Sequence, residues 1–140
     1  MKSCLCDNCV SACKHDPGRL VPADIRKISD ELGISIHACM SDYLVRVPTT
    51  VRNETVYALA PAKRKGTRFV EEPGHTAGKD YSDIQGVCIF LESNGDCTIH
   101  TVKPFECRAY MGCTHTFLGK PYREKTVEAF FARRWRTYVL

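Results

Sequence analysis

Along residues 20–33, apolar side chains return at helical intervals, with Ile25, Ile28 and Leu32 on one face. Pro22 suits a first helical turn, Asp24 suits the positive end of the helix dipole, and Gly33 suits the stop. A second short helix is predicted from Ser35, a candidate N-cap, to about Leu44. Its apolar side carries Ile36, Cys39, Met40 and Tyr43. Both stripes read as core and carry no chemistry. Residues 45–72 are rich in strand formers, chiefly at 55–59 and 68–70, around a basic turn of Lys63, Arg64, Lys65 and Gly66. Residues 73–86, with Gly74, Gly78 and Gly86, read as an exposed loop. Residues 88–91 and 97–100 flank Asn94-Gly95, a hairpin turn signal. Residues 125–139 return to helical spacing, with Val127, Phe130, Phe131, Trp135 and Tyr138 in an aromatic stripe. That stripe reads first as packing against the domain and second as a partner-binding face.

These elements predict an α+β fold. It is a small single domain with N-terminal helices, short antiparallel strands and a C-terminal helix, organised around a cysteine-bound metal centre. The expected division is one cysteine-cluster domain over 1–140, with a basic amphipathic helix over 119–140 outside the motif. At 140 residues the chain is one domain's worth and buries roughly two-thirds of the surface its unfolded form exposes. Its apolar and charged fractions are those of a globular chain. No apolar run approaches the ~18 residues of a membrane helix, so no membrane partner is expected. The N-terminus lacks the apolar stretch of a signal peptide, which points to the cytoplasm.

In a reducing compartment the nine cysteines argue for metal or redox chemistry and against a disulfide framework. The net charge of +4 is too small to imply nucleic acid by itself. Residues 120–136 hold six basic and two acidic side chains, so this segment accounts for the whole excess. It reads as a solvated face, with a protein partner of acidic character as the sharper alternative.

The cysteines fall into a front group (4, 6, 9 and 13) and a rear group (88, 97, 107 and 113), with Cys39 alone between them. Cys6-x2-Cys9 is a knuckle whose two thiolates can reach one metal. Cys39, on an apolar helix face, reads as a buried small hydrophobe. Thiolates select zinc, copper(I) or iron–sulfur clusters, and all-cysteine sites serve zinc and clusters alike. The spacings match neither the bacterial ferredoxin run nor the Cys-x3-Cys-x2-Cys order, so spacing alone leaves the metal open. A regular hairpin on Asn94-Gly95 would set Cys97 opposite Glu92 and part Cys88 from Cys97 by about 13 Å. Either the hairpin bends or the two serve different positions. Cys107-x5-Cys113 is easier, since a loop or helical turn after Pro104 brings both to one centre, paired with Cys6 and Cys9.

The segment from Cys88-Ile-Phe-Leu through Cys97-x-Ile-His, Lys-Pro, Cys107-Arg-x-Tyr and Cys113 resembles the YkgJ-type cysteine-cluster family, known by a CxxCxxCC motif. The front half is similar too: Cys6-Asp-Asn-Cys9, Cys13, then Leu-Val-Pro-Ala-Asp-Ile-Arg-Lys-Ile. There are departures. Ala12-Cys13 stands where the family has a Cys-Cys pair, His100 stands at a common Tyr, and Lys103 replaces an Arg. The resemblance implies zinc or iron chelation, as an iron–sulfur cluster in some relatives. A related cysteine cluster occurs in flagellin lysine methylases, but no further methylase feature is present.

The leading expectation is therefore a [4Fe–4S] cluster, with Zn2+ as the alternative metal. Its ligands would be Cys6, Cys9, Cys107 and Cys113, with Cys13, Cys88 and Cys97 completing or forming a second region. Cys4 or His100 could stand in for the cysteine missing at Ala12, and His115 is a further histidine near a ligand candidate. Arg108 could donate hydrogen bonds to a cluster or to a nearby carboxylate. The role would be redox, cluster-dependent or metal-handling. One rival is a structural zinc module that uses Lys120, Arg123, Lys125, Arg133, Arg134 and Arg136 to bind nucleic acid or an acidic partner. Another is an enzyme with an open metal position. No Ser/His/Asp arrangement or phosphate-binding Gly loop is present, and no catalytic residue is assigned.

Overall fold

The computed structural model of the chain describes residues 18–111 and 114–138. Helix α1 spans Pro22–Leu32, with Pro22 in its first turn and Val21, extended, as N-cap. The Asp24 carboxylate reaches back to accept the Val21 amide at 3.0 Å, which satisfies one of the orphan donors of the first turn. Gly33 ends the helix in the left-handed region (φ 69). Its amide donates to Asp30 and that of Ile34 to Ser29, the paired bonds of a Schellman stop. Helix α2, Ile36–Tyr43, begins under Ser35, whose hydroxyl accepts the Ala38 amide at 3.0 Å. Ile25, Ile28 and Cys39 are buried, as the periodicity predicts.

Strand β1, Leu44–Val51, follows α2 directly and pairs antiparallel with β2, Glu54–Pro61, from Leu44↔Pro61 to Val51↔Glu54. Arg52 and Asn53 close this hairpin, both with positive φ (50 and 63), the conformation a two-residue primed turn needs. Strand β3, Lys63–Lys65, pairs with β4, Arg68–Phe69, on one side and with β5, Val87–Cys88, on the other. The basic triplet expected to turn is thus itself a strand. The turn is displaced to Gly66-Thr67, where Gly66 takes a φ of 68.

The expected exposed loop over 73–86 is only partly exposed, because it carries apolar side chains into the core. Ala77 and Tyr81 are buried, and Thr76 bridges to Arg46 of β1. The Tyr81 hydroxyl donates to Pro61 O, and its carbonyl accepts the buried Lys63 Nζ at 2.6 Å. The expected hairpin at Asn94-Gly95 is also corrected. The turn is present, with Gly95 at φ 89, but Leu91, not Glu92, lies opposite Cys97, in a single bridge. Asn94 Oδ1 accepts the Asp96 amide and widens the loop, while the chain already turns at Cys88, whose carbonyl accepts Leu91 N. The hairpin is therefore not regular, and the separation inferred from a regular ladder no longer applies to Cys88 and Cys97.

Helix α3, Phe105–Ala109, starts after Pro104. A small antiparallel sheet follows, in the order β6 (Tyr110–Met111), β7 (Thr116–Phe117), β8 (Lys120–Pro121). Helix α4 occupies Glu124–Trp135 and packs on β1 and β2. It is shorter than the 119–140 segment expected, because Lys120 and Pro121 pair with β7. Val127, Phe131 and Trp135 are buried and Tyr138 is exposed, so most of the aromatic stripe is packing. Trp135 Nε1 donates to Leu20 O at 2.8 Å, tying α4 to the strap that enters α1. Four α-helices and short antiparallel strands among the described residues make the small α+β domain that the sequence predicts. No helix among them is long and apolar enough to cross a membrane.

Candidate metal centre

Cys107 is the third residue of α3, whose position is set from two directions. The first is Asp24, fully buried at the start of α1. Besides capping Val21, its carboxylate accepts the Phe105 amide at 2.8 Å and the Arg108 guanidinium at 3.3 Å. Two helix starts therefore share one carboxylate. Phe105 then packs into an aromatic cluster, with ring centroids 5.4 Å from Phe130 and 6.3 Å from Phe117. Arg108 lies over the Phe105 ring, so in this arrangement its charge is directed to a carboxylate.

The second direction is the strap preceding α1. The Gly18 amide donates to Cys107 Sγ at 3.3 Å. Arg19 and Glu106, the adjoining residues, exchange backbone and side-chain bonds. Arg19 N donates to Glu106 Oε1 at 2.7 Å and Glu106 N to Arg19 O at 3.1 Å. The guanidinium forks onto both carboxylate oxygens at 2.8 Å. Glycine is required at position 18 by the closeness of this approach, since a Cβ there would sit 2.6 Å from Glu106 Cβ and 3.0 Å from Cys107 N. Burial opposes the charge on Arg19, but Glu106, by Coulombic attraction and hydrogen bonding, and Glu124 outweigh it and hold the guanidinium's pKa above its ordinary value.

Cys88 is buried on β5 and Cys97 is half-buried at its bridge. Cys39 is fully buried on α2, where desolvation pushes its thiol up to about 11 and so works against a thiolate. His100 is exposed on a 3-10 turn. His115, exposed, meets the Tyr110 hydroxyl through Nδ1 at 2.9 Å and lies against Tyr122. Among the described residues no three His, Cys, Asp or Glu side chains are close enough to hold a metal ion. Cys4, Cys6, Cys9, Cys13 and Cys113, like Ala12, lie outside the described residues. What the described chain brings together is therefore Cys107 and the residue that leads back to the front cysteines. A cleft of about 620 Å³ opens beside them, lined among the described residues by Gly18, Cys107, Tyr110, His115 and Tyr122.

The donor chemistry fits a thiolate-bound metal. An N–H aimed at Cys107 Sγ favours the ionised sulfur, the form that binds metal. Sequence reasoning missed the Arg19–Glu106 pair and the double role of Asp24. The partners lie 87 and 81 positions apart, and no local pattern joins them.

No curated protein and no solved structure matches the chain. A family model described as "CxxCxxCC: Putative zinc- or iron-chelating domain" matches residues 5–126, a span that holds every front- and rear-group cysteine except Cys4 and ends in the first turn of α4. With most of its length matched and Cys107 held against the strap from the front cysteines, the chain belongs to the CxxCxxCC family of zinc- or iron-chelating domains.

Proposed function

We propose that the chain holds a [4Fe–4S] cluster through Cys6, Cys9, Cys107 and Cys113, with Cys13, Cys88 and Cys97 completing or forming a second metal region. Cys4 or His100 would supply the ligand missing at Ala12. The observation that carries the reading is the Gly18–Cys107 contact. Cys13 is five residues before Gly18, so a fully extended chain keeps it within about 18 Å of that contact. The front knuckle is thus tethered to the rear cysteine that the reading pairs with it. Backbone N–H donors at a ligand sulfur are also a feature that tunes cluster potential. A bound cluster would supply one-electron transfer or, with an open position, a Lewis-acidic iron. The role is redox, cluster-dependent or metal-handling in a reducing, cytoplasmic compartment. Purification without oxygen, followed by iron, zinc and acid-labile sulfide analysis, tests this. Iron and sulfide in equal amounts, with a visible absorption band, is the expected result. Colourless protein with zinc and no iron ends the cluster version.

The second reading keeps the cysteines and replaces the cluster with structural Zn2+. It is favoured by the exposure of all six basic residues at Lys120, Arg123, Lys125, Arg133, Arg134 and Arg136 while the opposite face of α4 is buried. This face would take an acidic protein partner or a phosphate backbone. Binding to nucleic acid that weakens steeply with salt supports the phosphate version, and none at low salt removes it.

A further inference from the structure

We infer that Arg19 is a positioning residue for the metal centre. Its guanidinium fork on Glu106 sets the register in which the front cysteines meet Cys107. This inference rests on the metal-binding reading above.

The geometry is specific to that task. Arg19 directly follows Gly18 and Glu106 directly precedes Cys107, so the fork locks the pair of residues adjoining the N–H to sulfur contact. Four bonds join residues 19 and 106, two of them using the guanidinium. The same guanidinium lies 5.0 Å from the Phe131 ring centroid and 3.5 Å from Glu124 Oε1, both on α4. Glu124 in turn accepts the Tyr122 hydroxyl. One side chain thus fixes the strap, α3 and α4 against each other, next to the candidate ligand.

Stability alone is a poor explanation for the pair. Arg19 and Glu106 are only 13% and 14% exposed, and at such depth apolar residues of similar size often stabilise as well or better. What the ion pair adds is direction. The planar fork accepts one orientation of a carboxylate, which neither a methyl group nor a lysine ammonium enforces. Groups that orient a ligand from behind typically change metal affinity 10- to 100-fold when removed.

The test is the double variant Arg19→Met with Glu106→Gln in the full chain. It removes both charges, while Gln can still accept the residue-19 amide. Zn2+ affinity is measured under reducing conditions by competition with a chromogenic chelator. The stability of the metal-free chain is measured in urea beside it. At least a tenfold loss of Zn2+ affinity at near wild-type metal-free stability is expected. Arg19→Lys, which keeps the charge without the fork, should fall between wild type and double variant, and it serves as the test should the double variant not fold. Wild-type affinity in either variant overturns the inference. So does an affinity loss fully matched by lost metal-free stability, which marks a purely structural pair. Wild-type chain that takes up no Zn2+ or iron defeats the metal-binding reading itself. Metal uptake that the variants leave unchanged defeats only the role of Arg19.

Discussion

The Asp24 carboxylate accepts the Phe105 amide at 2.8 Å, so the start of α1 and the start of α3 share a single buried anion. Residues 81 positions apart are thereby fixed where Cys107 begins its helical turn. Both amide donors, from Val21 and Phe105, point at one oxygen and Arg108 at the other. An asparagine in either orientation would set an N–H₂ against a donor. Asp24→Asn should therefore cost about 2–4 kcal/mol, the range for charge-assisted bonds lost at a buried site. Urea denaturation of the metal-free chain measures it, and a change below about 0.5 kcal/mol would contradict the shared-carboxylate account.

Gly18→Ala tests the approach of the strap to α3. The added methyl would meet Glu106 Cβ at 2.6 Å, and only movement of strap or helix relieves it. Overpacking of this kind costs about 1–3 kcal/mol. The displacement also lengthens the Gly18 N–H contact to Cys107 Sγ, so metal content should fall with stability. Elemental analysis beside a urea curve reads both.

Cys107→Ser should lower metal content sharply, because a hydroxyl replaces the sulfur that the Gly18 amide faces. Cys39→Ser is the control. It sets a hydroxyl in an apolar site at a cost of about 1–3 kcal/mol, yet should leave metal content at the wild-type value. Metal loss in the Cys39 variant would move the missing ligand to α2.

Cys39 also predicts a pH dependence. Burial raises its thiol from 9.0 to about 11, so the folded chain holds a proton that the unfolded chain releases. This contribution is fully present below about pH 9 and is lost as pH rises toward 11. Cys39→Ala removes it, so wild type should lose more stability than the variant between those values. Parallel urea midpoints across that window would mean that the thiol titrates normally.

Legibility of the fold followed the range of the forces involved. The spacing of Ile25 and Ile28, the Ser35 cap and the Gly33 stop are local signals, and α1 and α2 lie where those signals put them. Arg52-Asn53 was missed as a turn because Arg rarely takes positive φ, while the register of β1 on β2 imposes it. Lys63 looked like turn chemistry but is buried, because Tyr81 offers both a carbonyl and a ring face 4.4 Å from its Nζ. Strands of two residues, such as β6 to β8, carry no period to read. The cysteine pattern was legible as chemistry. The pairing of Arg19 with Glu106 was not, since only the tertiary fold brings those positions together.

Trp135 gives the last test, through the same strap. It is the single tryptophan and is buried, and its indole N–H donates to Leu20 O, two residues beyond Gly18. Leu20 N also donates to Leu59 O on β2, so residues 18–20 are held by α3, by β2 and by α4 at once. Trp135→Phe loses the indole bond and leaves a small cavity, at about 1.5–3 kcal/mol. In the unaltered chain the indole becomes a reporter. If metal draws the front cysteines toward Cys107, its removal relaxes the strap and loosens the contact that buries Trp135. Chelation under reducing conditions should then shift Trp135 emission to longer wavelength, and returning the metal should reverse it. Unchanged emission on complete metal removal would show that the strap stays docked by protein contacts alone.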